Sequence, residues 1–127
     1  MKESTVSVIV DDGTSQTLRL SGVLSEWLFA SGFWSEVNEI CGTMFDQYEE
    51  DEASPDIVLV IQQEIDKKAS GLRMSTEPKF EFVRGWAADW TPLKVSANTE
   101  DVLEELKIFR NFLDAGISTT SNAIFSL

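Results

Sequence analysis

The sequence predicts an α+β fold: an antiparallel or mixed sheet of about four to five short strands packed against three to four helices. Three observations predict it. Segments that alternate apolar and polar residues stand near both ends and around residue 80. Stretches with apolar residues three and four apart lie between them. The two patterns are interleaved over 127 residues, a length that fits one domain, residues 1–127, with one core.

The elements follow in order. Residues 5–21 read as a β-hairpin, with Val6, Val8 and Val10 alternating, a turn at Asp11-Asp12-Gly13, and Thr17, Leu18 and Leu20 resuming the strand. Leu24, Trp27 and Leu28 fit a short helix over 23–30, broken by Ser31-Gly32. Phe33, Trp34, Val37, Ile40, Cys41, Met44, Phe45 and Tyr48 then predict an amphipathic helix of about four turns. Glu36, Glu39, Asp46 and Glu50 project from its other side. Gly42 inside it costs about 1 kcal/mol relative to Ala. Glu49-Glu50-Asp51-Glu52 would end that helix at the negative end of its dipole, an unfavourable placement that suggests another use or fraying into solvent.

Ser54 is an expected helix cap, with Pro55 at the first helical position. Val58, Ile61, Ile65 and Ala69 form the expected buried stripe, Glu64 and Lys68 a helical pair, and Gly71 the terminator. A buried strand is the rival reading for Ile57–Ile61, which is rich in β-branched residues. Capping and length favour the helix.

Phe80 and Phe82 alternate as in a strand that Gly85 ends. Trp86 to Trp90 read as a loop and Pro92 to Val95 as another strand. Trp27, Trp34 and Trp86 are expected in the core. Asn98 or Thr99 caps a strong helix with the stripe Val102, Leu103, Leu106, Phe109, Phe112 and Leu113. Glu100 and Asp101 sit in its favourable first turn, Lys107 and Arg110 are expected to pair with Glu104 or Asp114, and Gly116 reads as its C-terminal cap. Ala123 to Leu127 read as a last strand added at a sheet edge.

Composition excludes several chemistries. There is no histidine, which removes Ser-His-Asp and Cys-His catalysis and His-ligated zinc. Cys41 is the only cysteine, so no intramolecular disulfide forms. It reads as a buried thiol in a reducing compartment. The N-terminus lacks an apolar signal core and no apolar run approaches bilayer length, so the expected location is cytoplasmic. No phosphate-binding glycine loop and no calcium-loop spacing is present. No metal or cofactor is expected, no catalytic set emerges, and the chain does not read as an enzyme.

Charge is the most informative functional signal. The net charge is −12. Ser21 to Asp66 hold eleven carboxylates and no Lys or Arg, while the rest of the chain has eleven acids and ten bases. Direct nucleic-acid or membrane binding is disfavoured, because phosphate contacts need clustered bases. A basic protein partner is favoured. The expected contact residues are Glu36, Glu39, Asp46, Glu49, Glu50, Asp51 and Glu52, with Trp90 as an aromatic anchor. In general character alone, small, acidic and cysteine-poor, the chain resembles bacterial toxin-immunity proteins. That likeness implies an inhibitor covering the cationic site of a toxin such as a nuclease, and it assigns no residue. A mimic of DNA, with carboxylates in place of phosphates, is a variant of this reading. Two alternatives stand beside it. One is a subunit of a homo-oligomer or larger assembly pairing through exposed edges at Phe80, Phe82, Ile124 and Phe125. The other is a small enzyme or ligand-binding protein built on a carboxylate site.

Overall fold

A computed structural model describes residues 1–127. It has four helices and six strands in two antiparallel sheets, an α+β architecture. Strands β1 (Thr5–Ile9) and β2 (Ser15–Arg19) form the expected hairpin. Its turn uses Gly13 at φ +83°, and Asp12 Oδ1 accepts from the Thr14 N–H and hydroxyl. Helix α1 (Gly22–Ala30) starts where Ser21 Oγ accepts from the Leu24 N–H, and buries Leu24, Trp27 and Leu28.

Helix α2 (Phe33–Cys41) is half as long as the periodicity predicts. Gly42 adopts φ +66°, a left-handed cap that ends it. Asn38 then holds the departing chain. Its Oδ1 accepts from the Phe45 N–H and the Thr43 hydroxyl, both at 2.8 Å, and its Nδ2 donates to the Phe45 carbonyl at 2.9 Å. A side chain that satisfies backbone groups in this way competes with continued helix. Phe45 still reaches the core, but from a loop. Met44 and Tyr48, expected on the buried stripe, are exposed.

The acidic run does not fray. Glu50–Ala53 form β3, paired antiparallel with β6 (Ala123–Ser126). The sheet order is β2-β1-β6-β3. The C-terminal strand is therefore interior rather than at the edge, and the acidic strand occupies the edge. Phe125, expected on an open edge, is buried; Ile124 on the opposite face is partly exposed.

Helix α3 (Pro55–Met74) is capped by Ser54 Oγ and covers Ile57–Ile65, which resolves that ambiguity in favour of helix. Gly71 lies within it and does not end it. Helix α4 (Thr99–Ser118) is capped by Asn98. Gly116 is also internal. A Cβ there would meet Val8 Cγ1 at 3.0 Å, so the glycine permits close approach of α4 to β1. Arg110 pairs with Asp66 of α3 at 2.9 Å rather than with its own helix.

The second sheet is a hairpin of β4 (Lys79–Trp86) and β5 (Pro92–Asn98). Phe80 and Phe82 face inward, and Phe80 packs on Trp27 with ring centroids 5.8 Å apart. The register shifts between Val83 and Gly85. An extra residue in one strand reverses the faces beyond it. Trp86 would share the inward face of Phe80 and Phe82 in a regular strand. Beyond the bulge it pairs with Pro92 on the outer face and is 59% exposed. The core placement expected for Trp86 is thus corrected. Trp27 and Trp34 are buried as expected.

One hydrophobic cluster of 23 buried residues joins the layers. Beside the acidic edge it contains a compact aromatic group. Trp34 lies 4.9 Å from Phe33, 5.1 Å from Phe45 and 5.6 Å from Phe125 between ring centroids. No helix is long and apolar enough to cross a membrane.

Candidate functional site

The acids expected to act together are divided by the fold. Asp46 and Glu49 lie on the 42–49 connection, and Glu50, Asp51 and Glu52 lie on β3. Glu39 is exposed on α2. Glu36 turns instead toward α3, where its Oε2 is 3.6 Å from Lys67 Nζ. Trp90 sits at the tip of the β4–β5 hairpin with φ +66° and 79% exposure. That hairpin packs on α1 and α4, whereas β3 packs on β6 and α3. The anchor and the acidic edge therefore belong to different layers.

The loop-and-edge acids share one property. The molecule's four ion pairs are Arg19–Glu3, Lys67–Glu36, Lys67–Glu64 and Arg110–Asp66. None involves Asp46, Glu49, Glu50, Asp51 or Glu52. Their internal contacts are few: Asp46 Oδ1 accepts from the Gln47 N–H, and Glu52 Oε2 accepts from Asn122 Nδ2 at 3.2 Å. The nearby base Lys2 lies over the Tyr48 ring, 5.7 Å from its centroid. Exposed apolar groups are interspersed: Ile40, Tyr48 and Met44, the last 83% exposed.

Two shallow cavities of about 340 and 230 Å³ adjoin this surface and share Thr43, Met44 and Phe45 as walls. Phe29, Trp34, Ser35, Asn38 and Asp46 complete the first, and Asp51 and Glu52 the second. Two buried polar atoms here have no hydrogen-bond partner: the donor Trp34 Nε1 and the acceptor Asp51 Oδ2.

A second group of acids lies between α2 and α3. Glu64 is 3% exposed, with Oε1 3.3 Å from Lys67 Nζ and Oε2 unpartnered. Burial pushes the Glu64 carboxyl up from its ordinary value, and the neighbouring Glu36 carboxyl adds to this. Its nearness to Glu64, with the charges of Lys68 and Lys67, holds Glu36 low. The Lys67 ammonium is raised, first by its bond to Glu64. Burial raises the neighbouring Cys41 thiol, which is only half-buried. The expected Glu64–Lys68 pair does not form, because Lys68 Nζ donates to the Ser31 carbonyl at 2.8 Å. Neither Glu36 nor Glu64 lines a cavity, so this carboxyl pair joins helices rather than facing a substrate-sized space. The sequence reading missed Glu64 as a buried group. Its signal was position, since it shares the buried helix face with Ile61 and Ile65.

Of the remaining cavities, one of about 480 Å³ is walled by Ser21, Lys79, Asp101 and Glu105. Its carboxylate Glu105 is already committed to the Ser21 N–H and hydroxyl, at 2.6 and 2.5 Å. Comparison with known protein families, with characterised proteins and with solved structures finds no match for this chain.

Proposed function

We propose that this chain is a cytoplasmic interaction protein that binds a basic protein through its loop-and-edge acids. The observation that carries the reading is the set of five carboxylates, Asp46, Glu49, Glu50, Asp51 and Glu52, that no base inside the molecule neutralises. Charge held unpaired at a surface creates a field that steers an oppositely charged partner and raises its association rate. Exposed Met44 and Tyr48 within that surface supply apolar contact at short range. An inhibitor covering the cationic site of a nuclease-type toxin is the setting that best fits such a surface. Glu39 belongs to this surface by exposure; Glu36 contributes through its helix contact rather than to a partner.

A second reading has one favourable observation. Val83, Trp86 and Trp90 are exposed on the hairpin, and exposed aromatics suit self-association or attachment to an assembly. Sedimentation of the protein alone tests its self-association part, which a monomer at all concentrations removes. The first reading is tested by capture from source lysate at low salt, followed by a salt gradient and mass spectrometry. A dominant basic protein released as salt rises supports it. A partner indifferent to salt contradicts it.

A further inference from the structure

The acidic strand is a sheet edge, and its backbone register specifies what can join it. We infer that β3 receives an extended basic segment of the partner as a fifth strand of the four-stranded sheet. The inference rests on the basic-partner reading above and adds the mode of binding and the sequence chemistry required.

The register comes from one bond. The Leu127 N–H donates to the Glu49 carbonyl at 2.9 Å, and Glu50↔Ser126, Asp51↔Phe125 and Glu52↔Ile124 continue the same pairing. Bonded and non-bonded pairs alternate along an antiparallel ladder. Asp51 and Ala53 therefore turn their N–H and C=O groups toward β6. Glu50 and Glu52 turn theirs to the open side, where the sheet has no further strand. Open edges of this kind are templates for strand addition.

Side chains set the chemistry. Glu50 and Glu52 are exposed on one face, while Asp51 is half-buried on the other, with Ala53 buried beyond it. Residues directly opposite in a joining strand share those faces. Lys or Arg opposite Glu50 and Glu52 meets their carboxylates. The residue between them lies beside Asp51 on the inner face of the sheet, where a short β-branched side chain such as threonine fits. Nearby, the indole N–H of Trp34, a residue 2% exposed, lacks an acceptor. Trp34 packs on Phe125, the cross-strand partner of Asp51. That indole N–H and the unpartnered Asp51 Oδ2 are both enclosed by the chain's own side chains, so the case for an added strand stands on the outward backbone groups and the charge of Glu50 and Glu52. A second copy of β3 is a poor occupant, since it would set carboxylates opposite carboxylates.

The test uses isotope-labelled protein and a peptide of alternating lysine and threonine, with the same peptide N-methylated at its lysines as control. The N-methylated form keeps the side-chain charge but cannot donate to the ladder. The expected result at low salt is slowed amide exchange at Glu50 and Glu52, little change at Asp51, whose N–H already faces β6, and a shift of the Trp34 indole N–H signal. The N-methylated peptide is expected to lose the protection. Equal binding of both peptides without protection overturns strand addition and leaves the charge reading standing. Failure of both to bind overturns strand addition together with the charge reading for this surface. Protection of Glu50 and Glu52 in protein alone, growing with concentration, assigns the edge to a second copy and also overturns the proposal.

Discussion

The acidic edge and the aromatic hairpin are both exposed, and they are built in opposite ways. The edge and the connection before it carry five uncompensated carboxylates on a backbone fixed from behind by Phe45, Phe125 and the Asn38 bracket. The hairpin carries Trp86 on β4 and Trp90 at its tip, with Lys79, Arg84 and Lys94 against Glu81 and Asp89, a net of about +1. The first can act over a Debye length of roughly 8–10 Å, the second only on contact. The difference teaches that the charge surface is the better support for partner choice, because it is both long-ranged and rigidly backed. The hairpin tip has neither property.

Removing the backing should have the largest effect. Phe45→Ala deletes a ring that packs on Trp34 and Phe125, and is expected to cost about 3–5 kcal/mol by denaturant unfolding. A loss below about 1 kcal/mol would mean that the edge is not held from the core. Next comes the charge itself. Joint replacement of Glu49, Glu50 and Glu52 by Gln and of Asp51 by Asn is expected to slow partner association by about tenfold or more at low salt. The folded state should be retained, since none of the four is ion-paired.

Asn38→Ala sharpens the comparison at the loop. It removes three hydrogen bonds and leaves the Phe45 N–H and carbonyl without that partner, for an expected loss of about 1–3 kcal/mol. Glu64→Gln probes the other acid cluster. A buried carboxyl raised above its ordinary 4.5 favours the protonated fold. Its contribution is complete below 4.5 and is lost as pH rises through its raised value. The low Glu36 acts in the opposite sense, with stability lost as pH falls below 4.5. Thermal melts should therefore show the Gln variant gaining on the wild-type chain as pH rises from 4.5 to neutral. A gap that does not change with pH would contradict the assignment. The smallest effect belongs to the hairpin tip: Trp90→Ser should change stability by no more than about 0.5 kcal/mol and leave salt-dependent association unaltered.

Much of the fold was legible because local signals agreed with global ones. Ser54-Pro55 announced α3, Asn98 announced α4, and Asp12-Gly13 announced the first turn. The failures came where two signals competed. The 3.6-residue period ran on through Met44, Phe45 and Tyr48, yet Gly42 and the Asn38 bonds ended α2 and sent Phe45 into the core from a loop. Glu50-Asp51-Glu52 has poor strand propensity, and only its partner β6, some seventy residues away, makes it a strand. Gly85 read as the strand end and Trp86 as a loop residue plugging the core, whereas the strand continues through a bulge that sets Trp86 on the outer face. Glycines misled four times: Gly71 and Gly116 are internal to helices, Gly85 lies within β4 rather than ending it, and Gly42 ends α2 rather than sitting inside it. At the site, the acids were legible as a cluster. Their division between an edge strand and the α2–α3 contact was not, because that depends on which strand lies last in the sheet.

The central claim is that the acidic edge selects a basic partner by charge. The most direct measurement captures proteins from source lysate with the wild-type chain and with the variant neutralised at Glu49, Glu50, Asp51 and Glu52, side by side across a salt gradient. The account predicts a basic protein that the wild-type chain retains at low salt, releases as salt rises, and that the variant fails to retain. A partner held equally by both chains would contradict it.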